Sequence, residues 1–426
     1  MKGKLLQQTT GWVIILITIF SVYLIIHFEA FNTWFLGLLF FEIILAIRYK
    51  KIFTATMVRI SQILIGLLFI YSGFVKGVDP LGTAYRVEDY FIAFGTEWMM
   101  PAAVVLSFIL NASEFVLGGL LLFNLKPKLT SWLALLMMVI FTPITLNDAL
   151  NNPVPDCGCF GDALIMTNWQ TFYKNLVIDV FVLIVFIARN NIKAIFKPAT
   201  EWAMGIAIMI LFFGLQYVNY ANLPMMDFRA WKVGNKMIPE SPLPVKYYLT
   251  YKNINTGEEQ EYLSPNYPYD DDEWMANWEF IGQRVEDPNK VSGMDLAIIN
   301  FDGEDVTAGF LNNSDYNFFA VAWDLNETNK TAFQQINDLY LQAEQNGFEF
   351  IVITSTLEDK IKEFVADNKL SEDIKFFNAD DIVLKTMVRP NPGLILMKDG
   401  QVIDKWHFNH FPEWEVLDKE YLRKMN

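Results

Sequence analysis

The chain has 426 residues, 53% of them hydrophobic, with a net charge of −15, too apolar for an ordinary water-soluble protein of this length. The charge is divided: the first 220 residues hold 14 Lys and Arg against 12 Asp and Glu, the remainder 19 against 36. An apolar membrane half therefore precedes an acidic soluble half, and nothing in the soluble half is basic enough to hold nucleic acid.

Lys2 and Lys4 precede an apolar stretch that has no small-residue cleavage site, so it reads as a retained first helix rather than a removed signal. A membrane crossing needs about 20 apolar residues. Seven stretches qualify, at 11–27, 34–48, 58–75, 100–123, 129–150, 169–188 and 202–220, the second shorter than the rest. Cationic residues cluster in alternate connections. Arg48, Lys50, Lys51 and Arg59 lie between the second and third stretches, Lys126 and Lys128 between the fourth and fifth, and Arg189, Lys193 and Lys197 between the sixth and seventh. The opposite connections hold only Lys76 and Arg86, with Lys174 just inside the sixth stretch. The positive-inside rule then puts the N-terminus in the cytoplasm and the soluble half outside, as for a bacterial inner-membrane protein. Residues 79–97, with Tyr85, Tyr90, Phe91, Phe94 and Trp98 nearby, read as an amphipathic segment at the interface.

Beyond residue 221 the periodicity is weak at first. Residues 246–263 form a predicted β-hairpin turning at Asn255-Thr256-Gly257, and the acidic, aromatic run 267–278 reads as a surface loop. From about residue 295 strand-like runs appear at 296–301, 318–323, 348–353, 374–377, 394–397 and 402–406. Helical runs at 330–345 and 357–368 fall between them and another lies near 413–424, which gives an α/β sandwich. The expected organisation is two N-terminal spans (1–56), a four-helix membrane domain (57–190), a seventh span (191–220), a β-rich linker (221–294) and an α/β domain (295–426).

The only two cysteines stand in Asp156-Cys157-Gly158-Cys159-Phe160-Gly161-Asp162, between the fifth and sixth stretches and on the outer face. Two thiols so spaced close a small strained ring, which glycine permits and which is easily reduced. An outward-facing bridge persists in an oxidising compartment. The readings are a redox pair, a structural bridge and, third, a copper(I) site with His27; no metal site is assigned. Asp156 and Asp162 would raise a neighbouring thiol, and Lys76 or a protonated His27 would oppose them. Asn147 and Asp148 end on the same face. Glu42, Glu114 and Asp179 fall inside spans, where carboxylates face the bundle interior. They would serve a proton path or a quinone pocket, or else form interhelical pairs, Arg59 being a partner for Glu42. His407 and His410 are read as surface histidines, and Asp270–Glu273 as a solvated face that lacks the glycine of a calcium loop.

Gly66, Ser72-Gly73 and Lys76 in the third stretch, with Asn111, Glu114 and Gly118-Gly119 in the fourth, resemble the DoxX superfamily of four-helix membrane proteins. The Cys157-Gly158-Cys159-Phe160-Gly161 loop between its last two helices resembles the methylamine utilisation MauE branch. That resemblance implies service in maturing disulfide-rich exported proteins. From Val388 to Gly400, around Asn391-Pro392-Gly393, the chain resembles the cis-proline, strand and turn of thioredoxin-like domains, with Pro392 the cis residue. Where such domains place Cys-x-x-Cys, this chain has Asp324-Leu325-Asn326-Glu327, so the domain cannot exchange disulfides by itself. Trp323 and Pro392 are then the expected partner-binding residues.

The expectation is a seven-helix membrane bundle with a DoxX-like core followed by a redox-inactive thioredoxin-like domain. Cys157 and Cys159 would be the redox pair, supported by His27, Lys76, Glu114, Asp148, Asp156 and Asp162, serving an envelope protein partner beside the lipid bilayer. The alternatives are a membrane scaffold with a structural bridge, and a protein binding quinone or another small molecule near Glu114.

Overall fold

The computed structural model describes residues 54–238, 244, 246–286 and 296–423. The first two expected spans, and with them His27 and Glu42, lie outside the described residues. The chain divides into two compact units, Met1–Phe228 and Arg229–Asn426.

The described part of the first unit is helical. Helix α1 (Ala55–Val78) starts on Thr54, whose hydroxyl accepts from the Met57 N–H. Helix α2 (Pro80–Ala93) follows at once, with Asp79 as cap and Pro80 at its first position. This is the amphipathic segment expected at the interface. A 3₁₀ turn (Glu97–Ala102) leads into α3 (Ala103–Leu122), then come α4 (Pro127–Asn151), α5 (Asn168–Ala188) and α6 (Pro198–Ala221). Thr167 and Gln170 close a capping box at the start of α5. Five helices of 21–26 residues, α1, α3 with its 3₁₀ turn, α4, α5 and α6, are long and apolar enough to cross a membrane. Five of the seven expected spans are thus present among the described residues.

Glycines decide how closely α1 and α3 approach. A Cβ on Gly66 would meet the Gly118 carbonyl at 2.9 Å, and one on Gly73 would meet the Phe115 nitrogen at 2.7 Å. Backbones that close pack by van der Waals contact, which holds helices together where water is absent. Arg59 is expected as a partner for Glu42, which lies outside the described residues; its guanidinium donates to the carbonyls of Leu121 and Leu122 at 3.3 and 2.7 Å, capping the end of α3. Asp179 accepts from Thr142 at 2.9 Å, an interhelical hydrogen bond across the α4–α5 contact. Phe115 and Phe212 stack at 4.1 Å and join α3 to α6.

The second unit opens with an antiparallel three-stranded sheet of order β2-β1-β3. It is built from β1 (Lys246–Asn253), β2 (Glu259–Leu263) and β3 (Trp278–Glu286), with the short helix α7 (Asp272–Asn277) between the last two. The hairpin is as expected. The 267–278 loop is not, because the Asp271 side chain accepts two backbone N–H groups and starts α7 within the acidic run. The expected strand at 296–301 is also absent. Asn300 accepts from the backbone of Asp302 and Glu304 and folds the chain into a turn, leaving only isolated bridges at Ile299.

After α8 (Thr307–Leu311) the chain builds a five-stranded mixed sheet of order β6-β5-β4-β7-β8. Its elements in chain order are β4 (Tyr316–Val321), α9 (Lys330–Gln345), β5 (Glu349–Thr354), α10 (Glu358–Asp367), β6 (Lys375–Asn378), α11 (Asp381–Met387), β7 (Gly393–Lys398) and β8 (Gln401–His407). β4, β5 and β6 are parallel, joined through α9 and α10, while β7 and β8 run antiparallel. Phe318, Ala320, Phe350, Val352, Leu394 and Leu396 join Phe333, Ile336 and Phe364 in one buried cluster. Phe319, Val321, Ile351 and Ile395, at alternate positions, are also fully buried, so the central strands are covered on both faces. Helix α11 was not expected: seven residues starting on Asp380 are too few to show a helical period. The expected last helix shortens to α12 (Trp414–Leu417) and widens into a π turn (Asp418–Leu422). His407 is buried and its Nδ1 accepts from the Asn409 backbone, which corrects the surface reading; His410 is exposed.

Candidate functional site

The cysteine loop closes one end of the first unit. Three devices hold it. Phe160 is buried against Tyr71 of α1 at 5.6 Å, with the Lys174 ammonium 4.9 Å from its ring centre. Ser72 donates to the Cys159 carbonyl at 2.7 Å. Arg86 of α2 bridges to Asp156 at 2.7 Å, and Asp156 also accepts from the Gly158 N–H. Glycine is required at 158, where φ is +64° and a Cβ would press on the Arg86 side chain at 2.9 Å. Gly161 has φ +51° and donates to the Gly158 carbonyl, closing a turn around Cys159 and Phe160.

The result is a pair of half-buried sulfurs 3.1 Å apart. Their surroundings differ. Beneath Cys159 lie Lys76 and Glu114, an ion pair with a separation of 2.5 Å in which each side chain is only 5% exposed. The Ser72 hydroxyl, 2.6 Å from the other Glu114 oxygen, shares its one proton between that oxygen and the Cys159 carbonyl, and Asn111 donates to the Lys76 carbonyl. Breaking one half of such a pair costs about 3–5 kcal/mol, because the other charge is left buried and unmatched. Cys159, Ser72, Glu114, Lys174 and Asn175 edge a cavity of about 20 Å³, room for about one water molecule.

Cys157 faces α2 and α4 instead. The Tyr90 hydroxyl donates to Asp148 at 2.6 Å and lies within hydrogen-bonding reach of the Cys157 sulfur. The second Asp148 oxygen is buried and has no hydrogen-bond partner among the described residues.

This asymmetry separates the two thiols. Cys157, as donor to its neighbour, brings Cys159 well below the ordinary thiol range; burial opposes this, Lys174 and Lys76 reinforce it, and Glu114 opposes it. Cys157 moves up, first because its proton is held against Cys159 and next because it is buried. Arg86 pairs with Asp156, and the carboxylate acting on Cys159 is Glu114.

Of the residues expected at the site, Lys76, Glu114, Asp148 and Asp156 converge on the loop, and Asp162 follows it in a 3₁₀ turn. Lys76, expected in an outer connection, is instead buried in the last turn of α1. Tyr90, Ser72, Arg86 and Lys174 were not among the expected site residues. Sequence signals existed for Ser72, in the Ser72-Gly73 pair, and for Arg86 and Lys174, cations outside the clustered connections. In the second unit Trp323 is half-buried, its ring nitrogen donating to the Arg389 carbonyl at 3.4 Å. Pro392 follows a cis bond and is buried, while Asn391 donates to the Asp324 carbonyl at 2.7 Å. These contacts tie the 323–329 turn to the 389–392 turn. Among the described residues no cluster of His, Cys, Asp and Glu is composed to hold a metal ion.

Residues 50–189 match the family model of the methylamine utilisation protein MauE, a membrane family. The match covers α1 through α5 and includes the cysteine loop. No curated protein matches the chain. The chain is a multi-pass membrane protein with a MauE-type segment, followed by a sheet-containing unit.

Proposed function

We propose that this protein exchanges disulfides with an exported partner through Cys157 and Cys159, as an auxiliary redox protein of the inner membrane. The observation that carries the reading is the sulfur pair itself, 3.1 Å apart and set in two unlike environments. Thiolate is the attacking species in exchange, and Cys159 sits where cations favour it. The MauE match supports the assignment by covering this loop. The thioredoxin-like reading of the second unit is supported by its β4-α9-β5-α10-β6 and β7-β8 order and by the cis Asn391–Pro392 bond. With no cysteine in that unit, it acts as the module that recruits the partner. The cationic connections at Lys126 and Lys128 and at Lys193 and Lys197 support, by the positive-inside rule, a periplasmic side for the cysteine loop and the second unit.

A purely structural bridge is the weaker reading. Closing a loop of three residues stabilises a fold by about 1–2 kcal/mol, near the bottom of the range for disulfides. Phe160, Ser72 and Arg86 already hold this loop without a covalent link.

The test is a trapping experiment. In a Cys157→Ser variant a partner attached to Cys159 has no neighbouring thiol to release it, so a mixed disulfide accumulates on Cys159 and runs as a reducible adduct. If neither single Cys→Ser variant traps a partner and the double variant is without phenotype, the exchange reading falls.

A further inference from the structure

Exchange at a paired site has two chemical steps, and each needs its proton placed. In the first, the Cys159 thiolate attacks a partner disulfide R–S–S–R′, forming Cys159–S–S–R and expelling R′–S⁻. In the second, Cys157 attacks the Cys159 sulfur, closes the Cys157–Cys159 bond and expels R–S⁻. Cys157 begins that second step as a thiol, so it must first lose a proton. Cys157 is half-buried, and the hydroxyl within reach of its sulfur is that of Tyr90.

We propose that Tyr90 and Asp148 are the proton acceptor for Cys157, with Tyr90 as the relay and Asp148 as the terminal base. The proposal rests on the exchange reading above. Tyr90 already stands between the two groups, donating to Asp148 at 2.6 Å with the Cys157 sulfur in reach. As the Cys157 thiol passes its proton to the Tyr90 oxygen, the Tyr90 proton moves to Asp148. The carboxylate becomes a carboxylic acid, and Cys157 becomes the attacking thiolate. Tyr90 ends as it began. In the reverse direction Cys157 is the leaving thiolate, and Asp148 returns the proton by the same path. No oxidant beyond the partner disulfide is required.

Three further observations point to this role. The second Asp148 oxygen is buried without a partner among the described residues, so neutralising the carboxylate breaks no hydrogen bond there. Tyr90 itself is pushed up, first by burial and then by the charge at Cys157, so it passes protons on rather than ionising. The remaining charged groups are engaged elsewhere: Lys76 with Glu114, Arg86 with Asp156 and Asp89, and Lys174 over Phe160. The groups acting on Cys157 are Cys159, Tyr90 and Lys174, and of these Tyr90 is hydrogen-bonded directly to a carboxylate, Asp148.

The full-length reduced protein, in bilayer nanodiscs, is mixed rapidly with 4,4′-dithiodipyridine, which releases one pyridinethione at each step. In Tyr90→Phe and Asp148→Asn the first release keeps its wild-type rate, which also reports an intact fold. The second slows by about 100-fold below neutral pH and recovers as alkali ionises Cys157 directly. Asp148→Glu, which keeps the carboxylate, restores the second release. Equal slowing of both releases, or a second release slowed by the same factor at every pH, makes Tyr90–Asp148 a strut and overturns the relay. If the wild-type protein releases no pyridinethione, exchange itself fails and the relay with it.

Discussion

Two sulfurs separated by a single glycine lie 3.1 Å apart, and it is their unlike neighbours that give them different chemistry. Cys159 sits above Lys76 and Lys174, while Cys157 meets Tyr90 and a carboxylate. The alkylation profile should divide accordingly. Cys159 is displaced downwards, so its thiolate fraction, and with it its alkylation rate, rises and levels off at a pH where an ordinary thiol, near 8.5, is still mostly protonated. Cys157 is displaced upwards and reacts only in more alkaline solution. Peptide-resolved mass spectrometry after short iodoacetamide pulses across pH reads both, and identical profiles would remove the asymmetry. The cysteines were legible from their number and spacing alone. Tyr90 was not, because one tyrosine in an aromatic segment carries no mark until the fold sets α2 beside the end of α4.

At the level of the helices, the α1–α3 contact is what delivers Lys76 to Glu114. Three glycines, Gly66, Gly73 and Gly118, occur in these two helices where a side chain would meet the opposing helix, and at each the obstacle includes backbone, which cannot rotate away. A Gly73→Ala substitution should therefore force the pair apart. The cost is about 1–3 kcal/mol of overpacking. Thermal unfolding in detergent should shift downwards, and because Ser72 and Lys76 flank this position, trapping through Cys159 should weaken as well. An unchanged melting temperature would mean that the helices approach less closely than described. The Ser-Gly pair and the glutamate could be picked out in the sequence, but their meeting could not. Residues 72 and 114 lie 42 apart, and only the packed helices bring them to 2.6 Å. In the second unit, strands β4, β5, β7 and β8 were visible from runs of Phe, Ile, Leu and Val. Helix α11 and strand β3 escaped because one is short and the other has both faces largely exposed, which erases the alternation that marks a strand.

For the molecule as a whole, the two units are one apolar helical body and one acidic α/β body. The sidedness proposed above rests on charge and is open to a direct test. A phosphatase fused after residue 426 should be active and a green fluorescent reporter dark, as expected for the periplasmic side, while the same reporters inserted between Lys126 and Lys128 should behave in the opposite way. Activity of the C-terminal phosphatase only in the cytoplasm would put the thiols in a reducing compartment, where the bridge could not persist.

Composition and periodicity by themselves determined that this chain enters a membrane, that a separate α/β unit follows, and that any thiol chemistry lies at residues 157 and 159. These properties depend on stretches of neighbouring residues, whose solvation and period can be read locally. Which charges reach which sulfur was decided only by the tertiary structure. An ion pair between Lys76 and Glu114, a guanidinium on Asp156 and a tyrosine between Cys157 and Asp148 all join residues far apart in the chain. Electrostatic effects fall off with distance in space, and that distance exists only once the helices have packed.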